Sequence, residues 1–131
     1  MSRRAAREDL FKIIFEAEIK EESLVDIYSN YITREDGKKI NEKEREFIEK
    51  NVKGIEEHNE EILNELSLKM EGWSYDRIGV IERALLKSAV YELMFEKTPK
   101  EIVINEIVEL AKKYGDAKSY EFLNGVLAKI L

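Results

Sequence analysis

The chain has 131 residues, of which 44% are hydrophobic and 38% charged, and its net charge is −6. That length suits one core under a heavily solvated surface, in a single domain or two small subdomains sharing it. With no Cys, one Pro and six Gly, the sequence excludes a disulfide framework, a thiolate zinc cluster and a collagen-like or Pro/Gly-rich chain. No stretch approaches the ~20 apolar residues that span a bilayer, and the opening MSRRAAREDL lacks the apolar run of a secretory signal. A cytoplasmic location is the expectation. Charge is unevenly spread. Arg3, Arg4 and Arg7 open the chain with no acid among them, and Lys112, Lys113, Lys118 and Lys129 outnumber the acids near its end. The acidic excess between them repels nucleic acid in bulk, but two basic ends brought together would make a local site.

The first predicted helix runs from about Ser2 to Lys20, with Leu10, Ile13, Ile14 and Ala17 at the spacing of one buried face. Phe11 and Phe15 form a second stripe, which either enters the core or serves a partner. A helix over Ser23–Ile32 follows, with Ser23 as N-cap and Leu24, Ile27, Tyr28 and Tyr31 inward. Asp36-Gly37 marks a turn, and its flanks lack calcium ligands, so it is no EF-hand loop. Asn41 with Glu44 reads as a capping box. From it one long helix is expected to reach Lys69, carrying Ile48, Val52, Ile55, Ile62 and Leu66. Gly72-Trp73 breaks the pattern. Ile78, Ile81, Leu85, Ala89 and Leu93 then lead a helix to about Glu96. Thr98-Pro99-Lys100-Glu101 reads as a second capping box, before a helix of Val103, Ile107, Leu110 and Ala111 that stops at Gly115 as a left-handed cap. Ser119 is expected to start the last helix, with Leu123, Val126, Leu127 and Ile130 buried. No strand survives this reading. The expected fold is all-α, about seven helices in one domain over 1–131, grouped as 2–70 and 74–131.

Catalytic signals are absent from this pattern. Neither a dinucleotide-binding nor a P-loop glycine motif occurs. Gly72-Trp73-Ser74-Tyr75-Asp76 ends in Asp where a nucleophile elbow needs Gly, and no strand precedes it. His58 stands among Glu57, Glu60 and Glu61, and a single imidazole without a second ligand cluster reads as solvated. No catalytic residue, metal or cofactor is expected. Two features suggest recognition instead. Three arginines oppose the dipole at a helix N-terminus, so they are either a frayed, solvated end or the seat of an external anion. Lys118-Ser119-Tyr120-Glu121-Phe122 sets an aromatic beside a cation. Phe122 is either ordinary core or a stacking face for single-stranded nucleic acid.

Arg3-Arg4-Ala5-Ala6-Arg7-Glu8 resembles the opening of the NusB family of bacterial transcription antitermination factors. Three more stretches are similar to it in order: Glu82 to Leu93, Pro99 with Val103 to Lys112, and Phe122 to Leu127. The resemblance covers nearly the whole chain and implies an all-α fold of two helical subdomains. It implies pairing with NusE, the small-subunit ribosomal protein that doubles as a transcription factor, and binding of boxA-type single-stranded RNA. The complex would join RNA polymerase to promote antitermination, notably in ribosomal RNA synthesis. Carried over by position, Arg3, Arg4, Arg7, Lys118, Ser119 and Phe122 would face RNA, while Phe15 and Glu82 would face NusE. Asn105 and Asn124 read as buried hydrogen-bonding residues, and Gly125 as a site of close helix approach. Ala5 interrupts the arginine run and no basic tail follows, which makes the partner more important to RNA affinity. Some relatives form homodimers that cover the RNA surface, and the sequence leaves monomer and homodimer both open. The alternative is a helical protein-interaction module without sequence-specific RNA binding.

Overall fold

The computed structural model describes residues 3–34 and 39–130. Among them lie seven α-helices and no strand: α1 (Arg3–Lys20), α2 (Leu24–Thr33), α3 (Glu42–Glu57), α4 (Asn59–Lys69), α5 (Val80–Tyr91), α6 (Lys100–Tyr114) and α7 (Ala117–Ala128). Helix α1 packs against α2, α3 and α5, and α5 in turn against α4, α6 and α7. Its expected face of Leu10, Ile13, Ile14 and Ala17 is buried. The second stripe splits. Phe11 is core and meets Tyr114 at 4.9 Å between ring centroids, whereas Phe15 stays half-buried.

Local caps fix the next two helices. The Ser23 side chain accepts from the Asp26 amide. Glu56, on α3, accepts from the Leu24 amide at 2.8 Å, so a carboxylate from another helix also complements the α2 N-terminus. The capping box of Asn41 and Glu44 forms as expected. The Asp36-Gly37 turn lies outside the described residues. The single helix expected to reach Lys69 is two helices, broken at His58 (φ −104°, ψ 21°). There the imidazole stacks on Phe95 at 4.1 Å and approaches Glu61 at 2.7 Å. Ile55 and Ile62 are both buried across the break, so the apolar spacing concealed it.

The second half departs from expectation mainly at its joints. Beyond α5 the chain makes a wider π turn over Glu92–Glu96 and then a left-handed residue at Lys97. That turn moves the start of α6 by one residue. Pro99 is the N-cap with no side-chain cap bond, so the Thr98–Glu101 box does not form. Gly115 is not left-handed (φ −112°); a side chain there would meet the Ser119 hydroxyl at 2.8 Å and the Ala111 carbonyl at 3.0 Å. Asp116 rather than Ser119 opens α7, its carboxylate accepting from the Ser119 amide at 2.9 Å. Asn105 and Asn124 are exposed, and a side chain at Gly125 would meet open space. The buried amide is instead Asn51, which donates to the Phe47 carbonyl at 2.8 Å.

Two long-range contacts hold α1, α3 and α5 in register. The Tyr91 ring lies against Gly54, where a β-carbon would overlap the phenol. Arg7 on α1 pairs through two nitrogens with Glu92, one of them at 2.9 Å, and both side chains are buried. Gly54→Ala should lower stability by about 1–3 kcal/mol through overpacking, read as a fall in the urea midpoint at unchanged slope. Arg7→Met should cost about 3–5 kcal/mol by leaving Glu92 buried without a counter-charge. Adding Glu92→Leu should recover most of that loss in the same titration. A double variant no more stable than Arg7→Met would mean that the guanidinium acts through packing instead.

Candidate nucleic-acid interface

The three arginines of the first turns point in three directions. Arg3 is exposed, its guanidinium 4.3 Å from the centroid of the Phe47 ring on α3. Arg4 reaches α6, where it donates to both oxygens of Glu106 at 3.0 and 2.9 Å. Hydrogen bonding and charge from Arg4 hold the Glu106 carboxyl below the usual glutamate range. Arg7 turns inward to Glu92. The expectation of three arginines without acids is therefore corrected for Arg4 and Arg7, because the fold delivers carboxylates from α6 and from the turn after α5. Arg7 is enclosed at that ion pair, while Arg3 and Arg4 remain at the surface.

The basic ends do meet. Arg4 and Glu8 on α1 share a shallow pocket with Glu106, Glu109, Lys112 and Lys113 on α6. Lys113 and the Tyr114 hydroxyl both donate to Glu8, which lowers the Glu8 carboxyl. Burial, with the hydrogen bond to Glu8 adding, pushes the Tyr114 phenol up to about 12. Lys112 stands 5.5 Å from the Tyr120 ring centroid, carrying cations toward α7. Cations and carboxylates alternate on this face.

A second pocket of about 330 Å³ surrounds Phe122. Trp73, 55% exposed, meets Phe122 edge-on at 5.5 Å, and Arg77 and Lys118 supply cations to the same lining. Ser119 is buried at its base, its hydroxyl donating to Glu82 and lying 3.2 Å from Asp116. Hydrogen bonding from the Ser119 amide holds the Asp116 carboxyl below its ordinary range. Lys118, Ser119 and Phe122 are thus brought together. Trp73 and Arg77 escaped the sequence reading, which took Gly72-Trp73 as a break in the pattern. An indole standing outside every apolar stripe was the available signal.

Phe15 lies elsewhere, in an apolar groove of about 480 Å³ with Phe11, Ile19, Ile81 and Tyr114, rimmed by Lys12, Glu16 and Lys20. Ile19 is 57% exposed there. The two residues expected on the partner face are separated: Ile81 lines this groove, whereas the carboxylate of its neighbour Glu82 lines the Phe122 pocket. Among the described residues no group of three His, Asp or Glu is arranged to hold a metal ion, and no helix is long and apolar enough to cross a membrane.

Comparison with known proteins agrees with this arrangement of helices. The NusB family model matches residues 4–131. Transcription antitermination protein NusB of Fusobacterium nucleatum subsp. nucleatum is 42% identical, over 97% of this chain and 86% of the relative. The solved structure of T. maritima NusB superposes with a TM-score of 0.89 at 36% identity, covering 99% of this chain and 90% of that one. A crystal structure of antitermination factors NusB and NusE in complex with dsRNA gives 0.87 at 32% identity, over 98% and 94%. With the family pattern matched from Arg4 to the last residue and the helices in the same arrangement, the chain belongs to the NusB family.

Proposed function

We propose that this chain is an RNA-binding antitermination factor that pairs with NusE, binds boxA-type single-stranded RNA and joins RNA polymerase to promote processive transcription, notably of ribosomal RNA. The observation that carries the reading is the pocket of Phe122 and Trp73 flanked by Lys118 and Arg77, within a NusB-family fold. The exposed Trp73 beside the half-buried Phe122 gives unstacked bases a face, and neighbouring cations take the phosphates. Arg4 with Lys112 and Lys113 on the α1–α6 face, and Arg3 over Phe47, add further cations for the phosphates. Ser119 contributes its hydroxyl at the base of the pocket. Arg7 serves the same surface indirectly, holding the start of α1 through Glu92. The groove of Phe15 and Ile19 is the NusE side: a half-exposed apolar strip with a charged rim suits a protein partner better than a phosphate chain. A relative solved as NusB and NusE in complex with dsRNA supports RNA and NusE as partners.

Titration of a labelled boxA-type RNA against a scrambled control, with and without NusE, tests this reading. Phe122→Ala and Trp73→Ala should each weaken binding by about 1–3 kcal/mol through lost stacking. Arg4→Ala should weaken all sequences alike and reduce the slope of affinity against salt by less than the ~1 of a bare phosphate contact, because Glu106 already pairs the guanidinium. Equal binding of both RNAs in every arm would leave a helical protein-interaction module. In a separate pull-down, Phe15→Asp should abolish NusE capture by burying a charge at the groove floor, and the NusE-dependent gain in RNA affinity should vanish with it. Retained capture would remove NusE from the groove.

A further inference from the structure

The chain holds a single tryptophan, Trp73, and the fold leaves it exposed. Local backbone puts it there. Helix α4 ends with Met70 as its C-cap, and the Met70 side chain is buried. The Trp73 amide then donates back to the Met70 carbonyl at 3.0 Å, which closes a four-residue turn. Gly72 is the third residue of that turn and has φ +77°, the left-handed region that a type II turn demands there. A β-carbon at Gly72 would meet nothing within 4 Å, so the glycine answers to backbone conformation and not to crowding. A second turn follows, in which the Arg77 amide donates to the Ser74 carbonyl at 3.0 Å and Tyr75 packs against the core. Met70 and Tyr75 thus pin the segment on either side of the indole.

We propose that Gly72 is a positioning residue of the RNA pocket: its left-handed backbone turns the chain so that the Trp73 indole stands against Phe122 as the wall on which a base stacks. The proposal rests on the RNA reading above. The two rings meet at 67° with centroids 5.5 Å apart. Planes so inclined cannot sandwich a base, so they form a corner that takes one. Trp73 offers the open face, while Phe122, half-buried on α7, supplies the side of the corner. Arg77 leaves the same segment and lines the same pocket, so the segment that carries the indole also brings a cation for the adjoining phosphate. A β-branched side chain disfavours positive φ, whereas asparagine tolerates it. Substitution at Gly72 therefore acts on the direction of the indole through the backbone alone.

Titration of boxA-type RNA, with the intrinsic fluorescence of Trp73 recorded alongside, tests the proposal. Gly72→Asn should bind within about twofold of the unmodified chain and keep the quenching of the indole by the stacked base. Gly72→Val should bind about threefold to thirtyfold more weakly, with less quenching at saturating RNA. Gly72→Ala should fall between them, and it carries the test if the valine variant does not fold. In a Trp73→Ala background the same substitutions should cost no further affinity, because the ring they displace is gone. An equal loss in both backgrounds, or a loss with asparagine as large as with valine, would mean that Gly72 acts through general stability, and the proposal falls. Trp73→Ala and Phe122→Ala separate the failures. If both weaken RNA binding while every Gly72 variant binds and quenches as the unmodified chain does, the positioning role is wrong and the RNA pocket stands. If neither has an effect, the pocket and the positioning role fall together.

Discussion

A guanidinium taken out of water between helices has to be met by a carboxylate, and Arg7 meets Glu92. Replacing both groups with apolar ones would change stability little, but with the charges present any other docking of α1 strands one of them. The pair therefore acts on register more than on net stability. Its position sets what the rest of α1 does. Four residues earlier, Arg3 lands on the Phe47 ring; four later, Phe11 enters the core; one turn beyond, Phe15 opens onto the groove. Arg4 is rotated toward α6 and Glu106. Arg3 and Arg4 on one side and Phe15 on another are thus presented by one helix, whose rotation this buried pair helps to fix.

That contact also explains how the sequence could be read and where it could not. Signals confined to one helical turn were legible, as with Ser23 and the Asn41–Glu44 box. Apolar spacing found the buried faces of α1, α2, α6 and α7 residue by residue. The failures lie where a distant residue decides. Arg7 and Glu92 are 85 residues apart, Arg4 and Glu106 102. No local pattern announces either pair. The Thr98 box failed because the π turn and the left-handed Lys97 shift the frame just ahead of it. Gly115 was rightly singled out for the wrong reason: it needs closeness to Ser119, not a positive φ. Asn105 and Asn124 sit on solvent faces while Asn51, unremarked, is fully enclosed.

The candidate site was legible to a different degree. Charge and aromaticity in 118–122 suggested a recognition surface, but only the family resemblance selected Phe122 over ordinary core. Trp73 and Arg77 come from the turn before α5, far upstream in the chain, and only the fold lays them beside it. Glu82 illustrates the same limit in reverse. Resemblance carried it to the partner face, whereas its carboxylate bonds to Ser119. Resemblance transfers the identity of a residue, and the rotamer that decides what it touches belongs to the folded chain.

On the proposed reading, a chain with net charge −6 uses its cations against its own acids. Arg4 already donates two hydrogen bonds to Glu106, and Lys113 donates one to Glu8. A phosphate arriving at either cation replaces one anion with another, so the electrostatic gain per contact is only the difference between them. Such exchange releases fewer counterions than binding to bare cations, which makes the salt dependence shallower than the number of basic residues suggests. Affinity then has to come from contacts with no internal competitor. The exposed face of Trp73 beside Phe122 is one of these, since stacking a base displaces water and not a carboxylate. The apolar groove is another, because burying Ile19 and Phe15 against a partner gains area that no residue of the chain already covers. Internal pairing of its cations thus shifts the recognition of this chain toward stacking and toward assembly.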